Sequence, residues 1–350
     1  MNSADVLFDK IEKLSIDELH TVAEKIFNLL QQVENSPQSS SVLSNVQKCR
    51  KCESTQIKKF GKDKNGKQRY RCNSCGCTFT ETSFSVVSHS HCSFEVWKKY
   101  INCLLKGDSL ETCSKECSIS VRTAFLWRHK ILAILQKDQD TRVMNGIVET
   151  DDMFISVSYK GNHKNSKKFS MPRAAYERGT DNRGPIGEKA CVMCAVERKG
   201  HAYGEVLGVG LANDTMLEHA FKNRLLEDTV VVTDKARNFK RYFDTSNIEL
   251  VQTSARAIAN NHNSPPEVKG VYHIQNVNNM HNRFRRFMRN YNGVATKYLN
   301  HYVNLYIWIE NHKKINNINL SEELCSSISN HGLYIASADV LNLPALPSVA

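Results

Sequence analysis

Ile147-Val148-Glu149-Thr150-Asp151-Asp152-Met153-Phe154-Ile155 is a run of strand-forming residues interrupted by three acids. β-Branched and aromatic side chains suit a pleated, half-buried surface. Acids inside such a strand need a purpose, because an unpaired buried charge is costly. A second stretch, Thr229-Val230-Val231-Val232-Thr233-Asp234, is a β-branched run that ends abruptly in an acid. It predicts a buried central strand with Asp234 at its C-terminal edge. Asp151 and Asp234 are 83 residues apart. Two more strands are predicted between them, Ala190 to Glu197 and Ala202 to Val209, joined by a Lys199-Gly200 turn. Two acids on adjacent strands of a mixed sheet can hold a pair of divalent cations, and hard carboxylate oxygens suit magnesium or manganese. Two such ions can activate an attacking oxygen and stabilise the leaving oxygen of a phosphodiester. The ordinary alternative for one acid at a strand end is a cap or a solvent contact. Asp152 and Glu149 stay rival ligands, because one step along a strand reverses the direction of the side chain.

Upstream, Phe94 to Lys106 carries apolar residues at helical spacing (Phe94, Trp97, Ile101, Leu104, Leu105) and Gly107 ends it. Ser109 caps a short second helix and Ser120 a third that runs through Leu135. Short helix, tight turn and basic third helix match a helix-turn-helix, with Arg122, Arg128 and Lys130 offered to DNA. Any three-helix bundle has the same pattern, and the cysteines here are read as small core residues. Further upstream, Cys49-Arg50-Lys51-Cys52 and Cys72-Asn73-Ser74-Cys75 are two Cys-x2-Cys knuckles with nineteen residues between them. That spacing predicts a four-thiolate structural zinc site, with strands at Ile57 to Phe60 and Gln68 to Arg71 around a turn. Cys77 is a nearby fifth thiol, and the x2 spacing favours Cys75. Lys58, Lys59, Arg69 and Arg71 on this hairpin suit phosphate contacts, a solvated basic face being the alternative. Cys191-x2-Cys194 repeats the spacing inside a strand and is read as structural.

The 350 residues carry 47 Lys and Arg against 36 Asp and Glu, a formal charge of +11, which favours a polyanionic partner. No apolar run approaches the ~18 residues of a membrane span. Met1-Asn2-Ser3-Ala4-Asp5 lacks the pattern of a signal peptide, so an intracellular site is expected. In a reducing compartment the twelve cysteines point to metal rather than disulfides. The organisation expected is a helical segment at 1–36 serving packing or self-association, a zinc ribbon at 46–82, a helix-turn-helix-like domain at 93–137, an α/β domain at 146–314 and a tail at 315–350 without clear patterning. Asn278 to Asn290 is predicted helical and carries Arg283, Arg285, Arg286 and Arg289. Lys160 to Arg173, poor in apolar residues, is expected to be a mobile loop over the acids that orders on DNA.

His273-Ile274-Gln275-Asn276-Val277-Asn278-Asn279-Met280-His281 and Asn292-Gly293-Val294-Ala295-Thr296-Lys297-Tyr298-Leu299 resemble the signature of a group of insertion-sequence transposases. Members of that group pair an N-terminal zinc ribbon with an RNase-H-like catalytic domain. The acids at 148–155, Ser158-Tyr159-Lys160-Gly161, and Pro172-Arg173 through Arg178-Gly179 also fit, so the match spans about residues 46 to 314 in order. The resemblance implies an RNase-H-like mixed sheet flanked by helices, preceded by the small ribbon and the helical domain. It implies a catalytic set of Asp, Asp and a third residue, often Glu but also Asn, followed seven positions later by a base. Asp151, Asp234 and Asn278 then hold magnesium or manganese, and Arg285 stands where the family usually has Lys. Asn278 supplies a neutral carbonyl oxygen, a weaker ligand than carboxylate. The implied reaction is two-metal hydrolysis at the transposon ends, then attack of the released 3′-hydroxyls on target DNA. Implied partners are terminal inverted repeats, bound with help from Arg283 and Arg286, target DNA, and a second copy of the chain in a dimer or higher assembly. The expected setting is the bacterial cytoplasm at the nucleoid, with no membrane. The rival reading is a domesticated DNA-binding regulator that has lost cleavage.

Overall fold

The computed structural model describes residues 46–49, 51–64, 66–161, 189–198, 200–253, 270–313, 319–329 and 334–348. The helices expected before residue 36, the loop expected from Lys160 to Arg173 beyond Gly161, and Lys199 of the expected turn lie outside these. The chain divides into two compact units, Met1–Ser83 and Phe84–Ala350.

In the first unit β1 (Ile57–Lys62), β2 (Gln68–Cys72) and β3 (Thr78–Thr80) form an antiparallel sheet in that order. Tyr70 and Phe79 stack across β2 and β3 with centroids 5.8 Å apart, which gives this small unit an apolar anchor beside its cysteines. β3 was not expected from sequence, its three residues being too short to show a period.

The second unit opens with α1 (Phe94–Lys106), α2 (Leu110–Cys117) and α3 (Val121–Asp140). The boundaries follow local chemistry. Gly107 ends α1 at φ 81°, a left-handed conformation that glycine adopts without strain. Ser109 and Ser120 accept the N–H groups of Thr112 and Thr123, as N-caps do. Trp97 and Trp127 stack at 3.6 Å between α1 and α3.

A five-stranded sheet follows. β4 (Ile147–Ser156), β5 (Lys189–Glu197) and β6 (Ala202–Val209) are antiparallel neighbours; β7 (Val230–Thr233) and β8 (Glu249–Gln252) run parallel to β4 on its other side. The spatial order is β6-β5-β4-β7-β8. Helices α4 (Asp214–Phe221) and α5 (Arg237–Phe243) cover one face. Helices α6 (Gln275–Arg289) and α7 (Leu299–His312) cover the other. Alternation along β4 sorts its side chains: Val148 joins the core under α4 and α5, and Met153 the core under α6 and α7.

The three-helix segment is not separate from this sheet. α7 is buried nearly all round, with Val303 and Ile307 in the sheet core and Leu305 and Trp308 in the core shared with α1 and α3. Its approach to β6 is close enough that a Cβ on Gly204 would lie 3.1 Å from Ile307 and Val303. The outward backbone groups of β6, an edge strand, are met by side-chain amides. Asn311 pairs with both the N–H and the C=O of Ala202, Gln139 accepts from Gly204, and Asn300 accepts from Val206. An edge closed in this way cannot add a strand. The tail without clear patterning forms α8 (Leu320–Ser329) and α9 (Ser337–Leu341), whose Leu324, Ile328 and Val340 join the core around α1 and α3.

Candidate functional site

The two cysteine knuckles are local copies of one another. In each, the residue after the second cysteine takes positive φ (Glu53 at 57°, Gly76 at 69°) and donates its N–H to the carbonyl of the first. The first cysteine's own N–H reaches the carbonyl of Ser54 in one knuckle and of Cys77 in the other. Cys77 therefore occupies the place of Ser54, outside the ligand set. The sulfurs of Cys49, Cys52, Cys72 and Cys75 lie within 4.8 Å of one another. Cys49 Sγ is 3.7 Å from Cys75 Sγ, and Cys52 Sγ is 3.6 Å from Cys72 Sγ. Zn–S bonds of ~2.3 Å in a tetrahedron require sulfurs ~3.8 Å apart, so the thiols fit zinc. Around this group Lys58, Lys59 and Arg71 are exposed, and the guanidinium groups of Arg69 and Arg71 sit over Phe60 at 5.5 and 5.4 Å.

In the second unit the acids meet where β4 outruns β7. Parallel pairing runs Ile147↔Val230, Val148↔Val231, Glu149↔Val232. The same offset carried two residues on sets Asp151 beside Asp234, just past the end of β7. Asp234 is held by a turn, its Oδ1 accepting the N–H of Ala236 at 2.9 Å, and its carbonyl is fixed by Gln252 of β8 at 2.8 Å. The carboxyl of Asp151 is pushed up to about 8, first by burial and then by Asp234 and Asp152, against the pull of Arg285. Asp152 is pushed up to about 6 by burial and by Asp234. Three carboxyls thus crowd one place, and burial beside Asp234 works against ionisation of Asp151 and Asp152, which suits hard divalent cations in charge and donor chemistry. Among the described residues the cysteines alone form a closed group of three or more His, Cys, Asp or Glu ligands, so any cation here needs donors beyond these carboxylates.

α6 supplies the rest. Asn278, His281 and Arg285 are three and four residues apart, which puts them on one stripe of the helix, within ~60°. His281 Nδ1 is 3.8 Å from Asp151 Oδ2, so this stripe faces the acids. Asn278 is half-buried and, among the described residues, its side-chain amide has no hydrogen-bond partner. The N-terminal N–H groups of α6 find their acceptor elsewhere. Glu149, fully buried, accepts the N–H groups of Asn276 (2.7 Å) and Val277 (3.2 Å), the Asn276 amide (2.6 Å) and Arg198 Nε (2.8 Å). Glu149 is thereby the cap of α6, delivered from the sheet, with both oxygens in use; as a rival ligand it is displaced. His281 was not singled out from sequence. Its Nε2 is buried without a partner, and burial followed by Arg285 lowers it to about 4, so the ring is neutral. Its place midway between Asn278 and Arg285 was the available signal.

The basic residues fall into groups. Arg285 and Arg286 are exposed on α6, and Arg283, also exposed, pairs with Glu310 at 2.9 Å. Arg122 is exposed on α3 and Lys130 half-buried. Arg128, expected on the DNA side of α3, is instead 3% exposed and donates to the carbonyl of Asp108 at 2.6 Å. It fastens α3 to the α1–α2 turn and is not offered to a phosphate at the surface.

A five-stranded sheet of this order, three antiparallel strands followed by two parallel ones, with an acid in the middle of the first and another just past the end of the fourth, defines an RNase-H-like α/β fold. Residues 143–311 match the family described as the ISXO2-like transposase domain. A protein of the transposable element ISH50 from Halobacterium salinarum is 22% identical over 237 residues, 67% of this chain and 76% of that one. Solved structures similar to the chain include a pre-cleavage Mos1 transpososome (11% identity, 67% of this chain and 79% of that chain, TM-score 0.19). Another is the Mos1 mariner paired-end complex with Mn (15% identity, 67% and 79%, TM-score 0.20). Among the described residues no helix is long and apolar enough to cross a membrane.

Proposed function

We propose that the chain is a DNA transposase that binds the terminal inverted repeats of its element, cleaves the ends and joins the released 3′-hydroxyls to target DNA. The observation that carries this reading is the crowding of Asp151, in the middle of β4, and Asp234, just past the end of the adjacent β7, facing the Asn278–His281–Arg285 stripe of α6. Asp151, Asp234 and Asn278 would hold magnesium or manganese. When bound, such cations supply the positive charge that activates an attacking oxygen and steadies the leaving one. His281, neutral and packed on Asp151, keeps that carboxylate oriented. Arg285 contacts the scissile strand's phosphate as a planar fork. The exposed Lys58, Lys59 and Arg71 of the ribbon, with Arg122 of α3, position the DNA backbone. Because two ends are joined together, the working form is a dimer or higher assembly.

The test is strand cleavage and joining on labelled duplexes that carry the element's own ends, with Mg2+ or Mn2+ and a plasmid target. Joined product from the wild type, absent for Asp234→Ala, is expected. Specific end binding without cleavage by the wild type would overturn the reading in favour of a regulator.

A further inference from the structure

A cavity of about 680 Å³ opens where the N-terminal ends of α2 and α3 face the segment between α6 and α7. Its size is within the ~300–1,000 Å³ of small-ligand pockets. Val121, 47% exposed, stands at its mouth. Phe125 and Tyr298 form an aromatic corner inside, edge to face at 5.4 Å, and His129 stacks behind Tyr298 at 4.1 Å. The cations are Arg128, Lys160 and Lys297, and Glu111 is the one carboxylate among the described lining residues. Lys297 Nζ lies 5.0 Å from the Tyr298 ring centre. Arg128 is buried, and its Nε has no hydrogen-bond partner. Nothing in the chemistry at Asp151 and Asp234 uses this cavity.

Its position relates it to that chemistry all the same. β4 leads from Asp151 out to Ser158, whose N–H and C=O are tied to Thr296 at 2.8 and 2.9 Å. Two residues on, Lys160 Nζ is fixed by the carbonyls of Asn292 and Gly293 at 3.4 and 3.3 Å. From Asp151 to Lys160 the chain spans at most ~30 Å at ~3.3 Å per residue. That is about nine base steps at ~3.4 Å each. A DNA strand lying on the acids therefore reaches the cavity within about nine nucleotides.

Aromatic faces bordered by lysines and arginine are the chemistry that holds unpaired nucleotides: the base packs on the rings and the phosphate is drawn by the cations. A base-paired nucleotide presents no free face to such a corner. We propose that this cavity takes one unpaired nucleotide of the DNA strand, its base among Val121, Phe125 and Tyr298 and its phosphate at Lys160 and Lys297. This rests on the reading that DNA is the substrate. The pocket gives the protein a grip on a distorted or single-stranded position away from the cleavage point.

The test uses the full chain with single-stranded oligothymidylate in which 5-iodouracil replaces thymine. Photo-crosslinks are mapped by mass spectrometry, and affinity is measured by fluorescence anisotropy. Val121→Glu places a carboxylate at the mouth; the site is exposed, and an acid in a helix's first turn suits the helix dipole, so folding is kept. Crosslinks on the peptide holding Phe125 or Tyr298, with about tenfold weaker binding by Val121→Glu, are expected. Crosslinks only elsewhere, with Val121→Glu binding as the wild type does, would overturn the proposal. Failure to bind the single strand while duplex ends are still cleaved and joined overturns it too and leaves the transposase reading standing. If neither happens, both fall.

Discussion

Removing the carboxylate of Glu149 separates a structural cap from a metal ligand. The side chain is fully buried, and it satisfies three donors from α6 together with the Arg198 guanidinium. In Glu149→Ala those donors lose their acceptor. Breaking a buried pair by deleting one partner costs about 3–5 kcal/mol. Arg198 has 27% of its side chain exposed and can recover water, so the lower end, about 3 kcal/mol, is expected. For a unit of this size that is a fall in Tm of roughly 6–12 °C. Glu149→Gln keeps one acceptor oxygen and turns an amide toward Arg198, for a loss of about 2 kcal/mol. The assay is thermal unfolding followed by circular dichroism, with and without Mn2+. Both variants should melt early and still gain from Mn2+. A Glu149→Ala protein that melts with the wild type would refute the cap. A Glu149→Gln protein that melts normally and no longer responds to Mn2+ would make Glu149 a ligand instead.

Four further outcomes are expected. Cys52→Ser and Cys72→Ser should lose the zinc found by atomic emission, whereas Cys77→Ser, in the place of Ser54, should retain it. Without metal, Asp151 holds a proton up to about pH 8 that an unfolded aspartate releases near 4. The native state therefore binds the extra proton across that window, and stability falls as pH rises through it; Asp151→Asn should flatten this part of the urea-unfolding profile. Mn2+ must displace the same proton, so its affinity should tighten by up to about tenfold per pH unit below 8. Gln139→Leu leaves the Gly204 N–H and the side-chain Oδ1 of Asn304 without partners, and should cost about 1–3 kcal/mol in the same unfolding measurement.

What was legible in the sequence was what local pattern encodes. Serine caps, a stopping glycine and apolar spacing placed α1 to α3, although α3 runs on past Leu135 to Asp140. Acids inside strand-forming runs marked β4 and β7. Equal knuckle spacing marked the four-cysteine cluster. What escaped depends on partners distant in the chain. Glu149 meets Asn276 across 127 residues and Arg198 across 49, so nothing beside it says which of the β4 acids is a cap. Arg128 reads as surface charge on a helix until Asp108 and the packing of α2 enclose it. β8 has four residues, too few for a period to emerge. The helical segment and the sheet read as two domains because the device that joins them is distributed: amides on α3 and α7 closing the edge of β6.

The most direct test of the acid site replaces Mg2+ by Fe2+ and generates hydroxyl radicals at the bound ion, so that the chain is cut beside its own ligands. The account predicts cuts clustered near residues 151, 234 and 278, suppressed by excess Mg2+ and lost in Asp234→Ala. Cuts that avoid these three places, or that persist unchanged in Asp234→Ala, would contradict it.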